Sequence, residues 1–128
     1  MTKVQTGSVI AVLAAAVSLV VAVSAFGGAD AASATTVNVT AGKPSEFRFV
    51  LSKKTIVKGL TTFKVTNKGT VNHDFKIAGK KTLQIKAGKT ATLKVTFKKA
   101  GKFPFMCTLE GHSVAGMKGT LTVKAAAR

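Results

Sequence analysis

Hydrophobic and polar residues alternate along most of the chain after residue 35. Apolar side chains recur at every second position in short runs, which cover residues 36–40, 47–51, 62–66, 75–77, 83–85, 93–97, 103–107 and 121–123. Gly, Lys, Asn and Pro separate these runs, so a turn signal comes about every eight to twelve residues. A period of two predicts short β-strands with one buried face each, and no segment in this part of the chain has a helical period.

These runs predict an all-β domain of about eight strands, folded as a sandwich of two sheets. Lysine and threonine occupy the outward positions, which favours antiparallel sheets with one face in water. The inward aliphatic and phenylalanine side chains, Phe47 and Leu83 among them, are expected to form the core between the sheets. At 128 residues the chain has room for one domain of ordinary size.

The N-terminal segment has a different pattern. Lys3 precedes an apolar run from Val9 to Val23 that only Ser18 interrupts, and small residues follow. This is typical of a secretory signal peptide, which we place at residues 1–31, with the folded domain at 32–128. An uncleaved membrane anchor is the alternative, although the run is shorter than the ~20 residues that span a bilayer. Either reading predicts an exported protein at a periplasmic, cell-surface or extracellular location.

The chain is strongly basic, with 20 Lys and Arg against 4 Asp and Glu and a net charge of +16. The lysines are spread from Lys43 to Lys124. They can serve simply as a solvated, self-repelling surface, or they can attract an acidic redox partner or an anionic cell surface or membrane. Nucleic acid is not an expected partner, because the chain has no Trp or Tyr for base stacking and no nucleic-acid-binding motif.

Residues that bind soft metals are few, and most of them lie close together in the sequence. The chain has one cysteine, two histidines and three methionines. Cys107, His112 and Met117 lie within one predicted loop between two strands, and His73 lies at the end of another run. A lone cysteine in an exported protein cannot form an internal disulfide. A thiolate, two imidazoles and a thioether are the ligands of a blue-copper electron-transfer site.

Other interpretations of these residues fit less well. Structural zinc takes four Cys or His ligands and rarely a thioether. A multicopper oxidase needs several histidine pairs, and a dinuclear copper centre needs a second cysteine. Met106 alternates with Cys107 and is therefore expected to point away from the site. Taken one at a time, Cys107 and Met117 could simply be core residues, but as a set with His73 and His112 they predict one copper ion.

The segment from Phe105 to Val123 resembles the C-terminal copper loop of the plastocyanin/azurin family of cupredoxins. The segments 67–69 (Asn-Lys-Gly) and 72–75 (Asn-His-Asp-Phe) resemble the upstream histidine segment of that family. The gaps of four residues between Cys107, His112 and Met117 are rusticyanin-like. The resemblance implies a Greek-key sandwich in which His73, Cys107 and His112 are equatorial copper ligands and Met117 is the axial ligand.

One residue departs from the family pattern. The family often has Asn at the position of Asp74, where the side chain braces the copper loop. An acid keeps the backbone amide that donates to the ligand sulfur, but makes the side-chain contact less expected.

The expected function is that of a small monomeric electron carrier cycling between Cu(II) and Cu(I), and not of an enzyme. Its partners would be redox proteins with an acidic docking face. A copper storage or delivery module shares every ligand, so the motif leaves that alternative open. An adhesion or binding sandwich with an empty site is a third possibility.

Overall fold

The computed structural model describes residues 34–127, and the signal or anchor segment predicted at residues 1–31 lies outside them. Nine strands and no helix are found in this range, which confirms the all-β sandwich. The strands, in chain order, are β1 Thr35–Ala41, β2 Phe49–Leu51, β3 Thr55–Val57, β4 Gly59–Asn67, β5 Lys76–Ile77, β6 Lys80–Lys81, β7 Thr90–Phe97, β8 Gly101–Met106 and β9 Lys118–Lys124. Residues 34–127 hold no helix that could cross a membrane.

The strands form two sheets. The first has the order β2-β1-β4-β7 and the second the order β3-β9-β8-β5-β6. Both sheets are mixed, since β1 pairs in parallel with β4, and β3 in parallel with β9. The expectation of antiparallel sheets is therefore wrong for these two pairs, whereas the other five strand pairs within residues 34–127 are antiparallel. Alternation reports which face of a strand is buried but not its direction, and the chain between β1 and β4 is long enough for a crossover.

Inward-facing side chains of both sheets form one core. Val37, Val39, Phe63 and Val65 of the first sheet are at most 1% exposed, and Leu121 and Val123 of the second are at most 2% exposed. The Phe75 ring lies centrally, with its centroid 5.3 Å from that of Phe63 and 5.5 Å from that of Phe105. Alternation along the strands thus predicted most of the core correctly.

Two residues expected in the core are exposed. Leu83 is 87% exposed because residues 82–85 form no strand and contribute only an isolated bridge, between Ile85 and His73. Phe47 is 38% exposed and precedes β2 rather than belonging to it. The period of two does not apply to residues outside strands, so it misplaced both side chains. Met106 is also exposed, on the opposite face of β8 from Cys107, as its alternation predicted.

Candidate metal centre

His73 is held at the edge of the sandwich by backbone pairing. Its N–H donates to the carbonyl of Ile85 at 3.1 Å, and its carbonyl accepts from the N–H of Ile85 at 2.7 Å. The side chain is completely buried. The turn before it is braced by the buried amide of Asn67, which donates to the carbonyls of Val71 and Ile85 and accepts from the N–H of Gly69. The position of His73 is therefore set by three separate chain segments.

A short loop carries the other three predicted ligands. Cys107 directly follows β8 and Met117 directly precedes β9, and the N–H of Cys107 donates to the carbonyl of Met117 at 3.0 Å. The N–H of Met117 in turn donates to the carbonyl of His112 at 3.0 Å. Gly111 and Gly116 have φ angles of 79° and 110°, which are left-handed conformations that favour glycine. The loop is thereby folded back on its own ends.

A third glycine of this region lies in a strand rather than in the loop. Gly119 lies inside β9, opposite Phe105 of β8. A Cβ atom at position 119 would lie 2.4 Å from the Phe105 ring, so the missing side chain makes room for that ring.

The side chains of His73, Cys107 and His112 converge. One ligand atom from each lies within 4.8 Å of the others. The two Nδ1 atoms of the histidines are 3.2 Å apart, and the Cys107 Sγ is 3.4 Å from the His112 Nδ1. Met117 is completely buried at the end of the same loop, and its role as axial ligand stays a prediction.

Asp74 fixes the sulfur and the start of the loop. Its backbone N–H donates to the Cys107 Sγ at 3.4 Å. Its carboxylate accepts from the Thr108 N–H at 2.6 Å and from the Thr108 hydroxyl. The expectation that an acid here weakens the side-chain contact is therefore wrong. Each of the two carboxylate oxygens accepts one of these bonds, Oδ1 from the N–H and Oδ2 from the hydroxyl.

Burial and neighbouring charges shift the ionisation of the site. Burial raises the pKa of the Cys107 thiol, and the nearby Asp74 carboxylate adds to this effect. Burial also lowers the pKa of His112, and the neighbouring His73 lowers it further. A metal ion must therefore displace the thiol proton, whereas the His112 imidazole is favoured in the neutral form that binds metals.

Two residues that the sequence did not predict for this site touch the histidines. The Glu46 carboxylate accepts from the His73 Nε2 at 2.8 Å, and the Phe47 ring meets the His112 ring edge to face with centroids 5.0 Å apart. Hydrogen bonds, chiefly from the Thr70 N–H, lower the pKa of Glu46 to about 2, although burial opposes this shift. The scarcity of acids in this basic chain was the one available signal for Glu46.

This donor set fits copper. Imidazole and thiolate ligands in a trigonal arrangement, with a weak thioether on the axis, are the coordination of a blue-copper ion. Three of the predicted ligands present their donor atoms to one point, and the fourth is buried beside them. His73, Cys107, His112 and Met117 are thus arranged as a site for one type 1 copper ion.

Residues 10–123 match the family model described as the cupredoxin-like domain. The chain belongs to the cupredoxin family. This confirms the resemblance seen in the copper loop and the upstream histidine segment. A comparison of the cupredoxin chain with curated proteins gives no match.

Solved structures share this cupredoxin fold. Auracyanin A, a "blue" copper protein from the green thermophilic photosynthetic bacterium Chloroflexus aurantiacus, is 19% identical with a TM-score of 0.62 over 71% of this chain and 99% of its own. Rusticyanin from Thiobacillus ferrooxidans is 20% identical, with a TM-score of 0.61 over 71% and 77%. A multicopper oxidase that functions in iron import is 20% identical, with a TM-score of 0.53 over 71% of this chain but 23% of its own.

Proposed function

We propose that this cupredoxin is a one-electron carrier that acts outside the cytoplasm. The observation that carries the proposal is the convergence of the His73, Cys107 and His112 donor atoms within 4.8 Å. Copper bound there supplies a Cu(II)/Cu(I) couple, with the thioether of Met117 favouring the reduced ion. The likeness to auracyanin A, described as a "blue" copper protein, supports the same function.

The protein contributes a fixed ligand geometry. His73 is held by backbone bonds to Ile85, and Cys107 by bonds to Met117 and Asp74. Ligands that cannot move when the charge of the metal changes reduce the reorganisation that accompanies electron transfer. No substrate turnover is required, since the two carboxylates at the site, those of Glu46 and Asp74, are engaged in hydrogen bonds with His73 and Thr108. We therefore infer a carrier rather than an enzyme.

Electrons would enter and leave at the His112 edge. His112 is half-buried, whereas His73 is completely buried. The surrounding loop surface is small and apolar, with Val114 89% exposed and Ala115 also exposed. A flat apolar rim suits a brief encounter that buries little area, as is typical of redox partners.

A row of lysines supports an acidic partner protein. Lys81, Lys76, Met106 and Lys118 lie side by side across β6, β5, β8 and β9, and all four are exposed. Met106 immediately precedes Cys107, so this lysine row reaches the copper end of the molecule. Acidic side chains on a partner would relieve the repulsion within the row and speed encounter. The same charge would permit association with an anionic cell surface or membrane.

The lysine row is tested by stopped-flow reduction with an acidic redox protein as the probe. We expect the bimolecular rate to fall with rising ionic strength and to fall again in Lys76→Gln. Lys64→Gln is the matched control, because Lys64 is an exposed lysine on β4 of the opposite sheet. A rate that ignores salt, or an equal loss in both variants, contradicts docking by this row. Ultracentrifugation of the copper-loaded protein tests the expected monomer.

The copper site itself is tested by adding Cu(II) to the purified protein. An intense band near ~600 nm is expected from charge transfer between thiolate and copper. Cys107→Ser should abolish the band, and Met117→Gln should keep it while lowering the reduction potential. Reversible voltammetry with fast exchange supports a carrier. Slow redox exchange and ready release of Cu(I) to a chelator would instead identify a storage or delivery module, and the absence of any band would contradict both.

A further inference from the structure

Acidic residues are rare in this chain, and two of them, Glu46 and Asp74, contact residues of the metal site. The chain has 4 acids against 20 basic residues, and Glu46, Asp74 and Glu110 are those beyond position 31. Asp74 braces the copper loop through Thr108. Glu46 comes from the connection between β1 and β2, 27 residues before the histidine that it contacts. A carboxylate brought to a ligand histidine from so far along the chain calls for a physical reason.

The Glu46 carboxylate accepts hydrogen bonds from four donor groups. The Thr70 N–H lies 3.0 and 2.9 Å from its two oxygens, and the Thr70 hydroxyl lies 3.0 Å from Oε2. The Val71 N–H lies 3.2 Å from Oε1, and the His73 Nε2 lies 2.8 Å from the same oxygen. The carboxylate is thus fixed by the turn that leads to His73, and the histidine contact is its shortest bond.

The backbone leaves space for this carboxylate. A Cβ atom at Gly69 would lie 2.2 Å from the Glu46 Oε1 and 2.9 Å from its Cδ. The φ of Gly69 lies outside the left-handed region, so backbone conformation alone does not require glycine here. The absence of a side chain at position 69 is therefore explained by the position of Glu46.

An ionised carboxylate can only accept hydrogen bonds, so the Nε2 of His73 must carry the proton in this contact. A neutral His73 then presents its Nδ1 lone pair on the other side of the ring. That atom lies 3.2 Å from the His112 Nδ1, at the point where the donor atoms meet. The partner of the outer nitrogen thereby selects which nitrogen is offered to the metal and in which direction.

We propose that Glu46 is a positioning residue that orients His73 through Nε2 and favours Cu(II) over Cu(I) at this site. This inference rests on the copper site proposed above. A hydrogen bond to a carboxylate makes a ligand imidazole a stronger electron donor, which benefits the more highly charged ion. The negative charge of the carboxylate acts in the same direction. Phe47, the next residue, packs on His112, so one dipeptide contacts both ligand histidines.

The decisive variant is Glu46→Gln, which removes the charge at nearly constant size. Its dissociation constant for Cu(II) is expected to rise about 10–100-fold. The loss of affinity for Cu(I) should be smaller than that for Cu(II), so the reduction potential should rise. The rise is about 59 mV for each tenfold difference between the two losses of affinity. The matched control is Glu110→Gln, which removes the same charge from an exposed residue of the copper loop. We expect the control to leave both affinities and the potential nearly unchanged.

Two further variants separate position from charge. Gly69→Ala keeps the carboxylate but displaces it from His73, and Glu46→Asp keeps the charge on a shorter side chain. Both are expected to weaken Cu(II) binding in the same direction as Glu46→Gln. Long-range 1H–15N NMR of the apo wild-type protein gives a readout that needs neither copper nor a variant. It should show His73 protonated at Nε2.

The outcomes distinguish this inference from the function on which it rests. A wild-type protein that shows no blue band contradicts the copper proposal itself. The inference is overturned if the wild type is blue but Glu46→Gln loses affinity for Cu(II) and Cu(I) equally and keeps the same reduction potential. Glu46 would then only stabilise the turn before His73. An equal shift of the reduction potential in Glu110→Gln would show that any nearby negative charge has this effect. An apo protein with His73 protonated at Nδ1 would exclude the proposed orientation of the ring. Either result overturns the inference as well.

Discussion

The two histidines of the metal centre have contrasting surroundings. His73 is completely buried, its outer nitrogen bonded to Glu46 and its backbone paired with Ile85. His112 is half-buried in a loop where Val114 is 89% exposed, and its ring packs edge to face with that of Phe47. One histidine belongs to the rigid interior and the other to the surface. The first can define the geometry of the metal, and the second can deliver electrons to a partner.

The sharpest test of this contrast removes each imidazole in turn. His73→Gly and His112→Gly should both lose the ~600 nm band, since each removes an equatorial ligand. Free imidazole is expected to restore the band in His112→Gly, because the hole would open to solvent. Imidazole should not restore the band in His73→Gly, because the cavity left there is closed to solvent. Titration with imidazole followed by absorbance measures both outcomes, and equal rescue would mean that the two sites are equally accessible.

Residues around the buried His73 should also contribute more to the free energy of unfolding than those around His112. Phe75 follows His73 by two residues, is completely buried and packs against three other phenylalanines, Phe49, Phe63 and Phe105. Phe75→Ala is expected to lower the free energy of unfolding by about 3–5 kcal/mol through lost burial and the cavity left behind. Urea unfolding of the apo protein measures this change. A loss below about 1 kcal/mol would contradict the packing described here.

The polar brace of the His73 turn should have an intermediate effect. Asn67→Ala leaves the carbonyls of Val71 and Ile85 without the amide that donates to them. A cost of about 1–3 kcal/mol in the free energy of unfolding is expected, because the Val71 carbonyl and the Gly69 N–H lose their hydrogen-bond partner. Asn72→Ala is the control, since the Asn72 amide bonds only at the surface, to Gln84 at 3.3 Å. Similar losses in the two variants would show that burial of Asn67 is unimportant.

The smallest effect on stability is expected on the surface side. Val114→Ala should change the free energy of unfolding by no more than about 0.5 kcal/mol, because the side chain is exposed. The same variant should slow electron exchange with a partner if Val114 lies in the contact. Chemical denaturation and stopped-flow rates measured on one preparation test both statements. A large loss of stability would place Val114 in the packed interior and remove the contrast between the two histidines.

Much of the fold could be predicted from the alternation of hydrophobic and polar residues. The metal ligands could be predicted because Cys, His and Met are rare in this chain. Val37, Val39, Phe63 and Val65 were predicted to face the core because they recur at every second position, and the structure confirms this. The direction of strand pairing was not encoded in that pattern. The parallel pair of β1 and β4 therefore required the structure.

The support of the ligands could not be predicted, because it comes from residues distant in sequence and outside any strand. Glu46 and Phe47 lie before β2, where no period indicates which way a side chain points. Their contacts with His73 and His112 depend on how two sheets and a loop come together. Asp74 was placed correctly beside the sulfur, but its carboxylate bonds to Thr108 emerged only from the packed loop.

The contact between Gly119 and Phe105 has a consequence for how this protein can vary. Phe105 lies two residues before Cys107, and its ring occupies the space that a side chain at position 119 would need. Even one methyl group there would push against the Phe105 ring, on the strand that ends just before Cys107. Substitution at position 119 is thus coupled to position 105, because a larger residue can be accommodated only if the Phe105 ring moves as well.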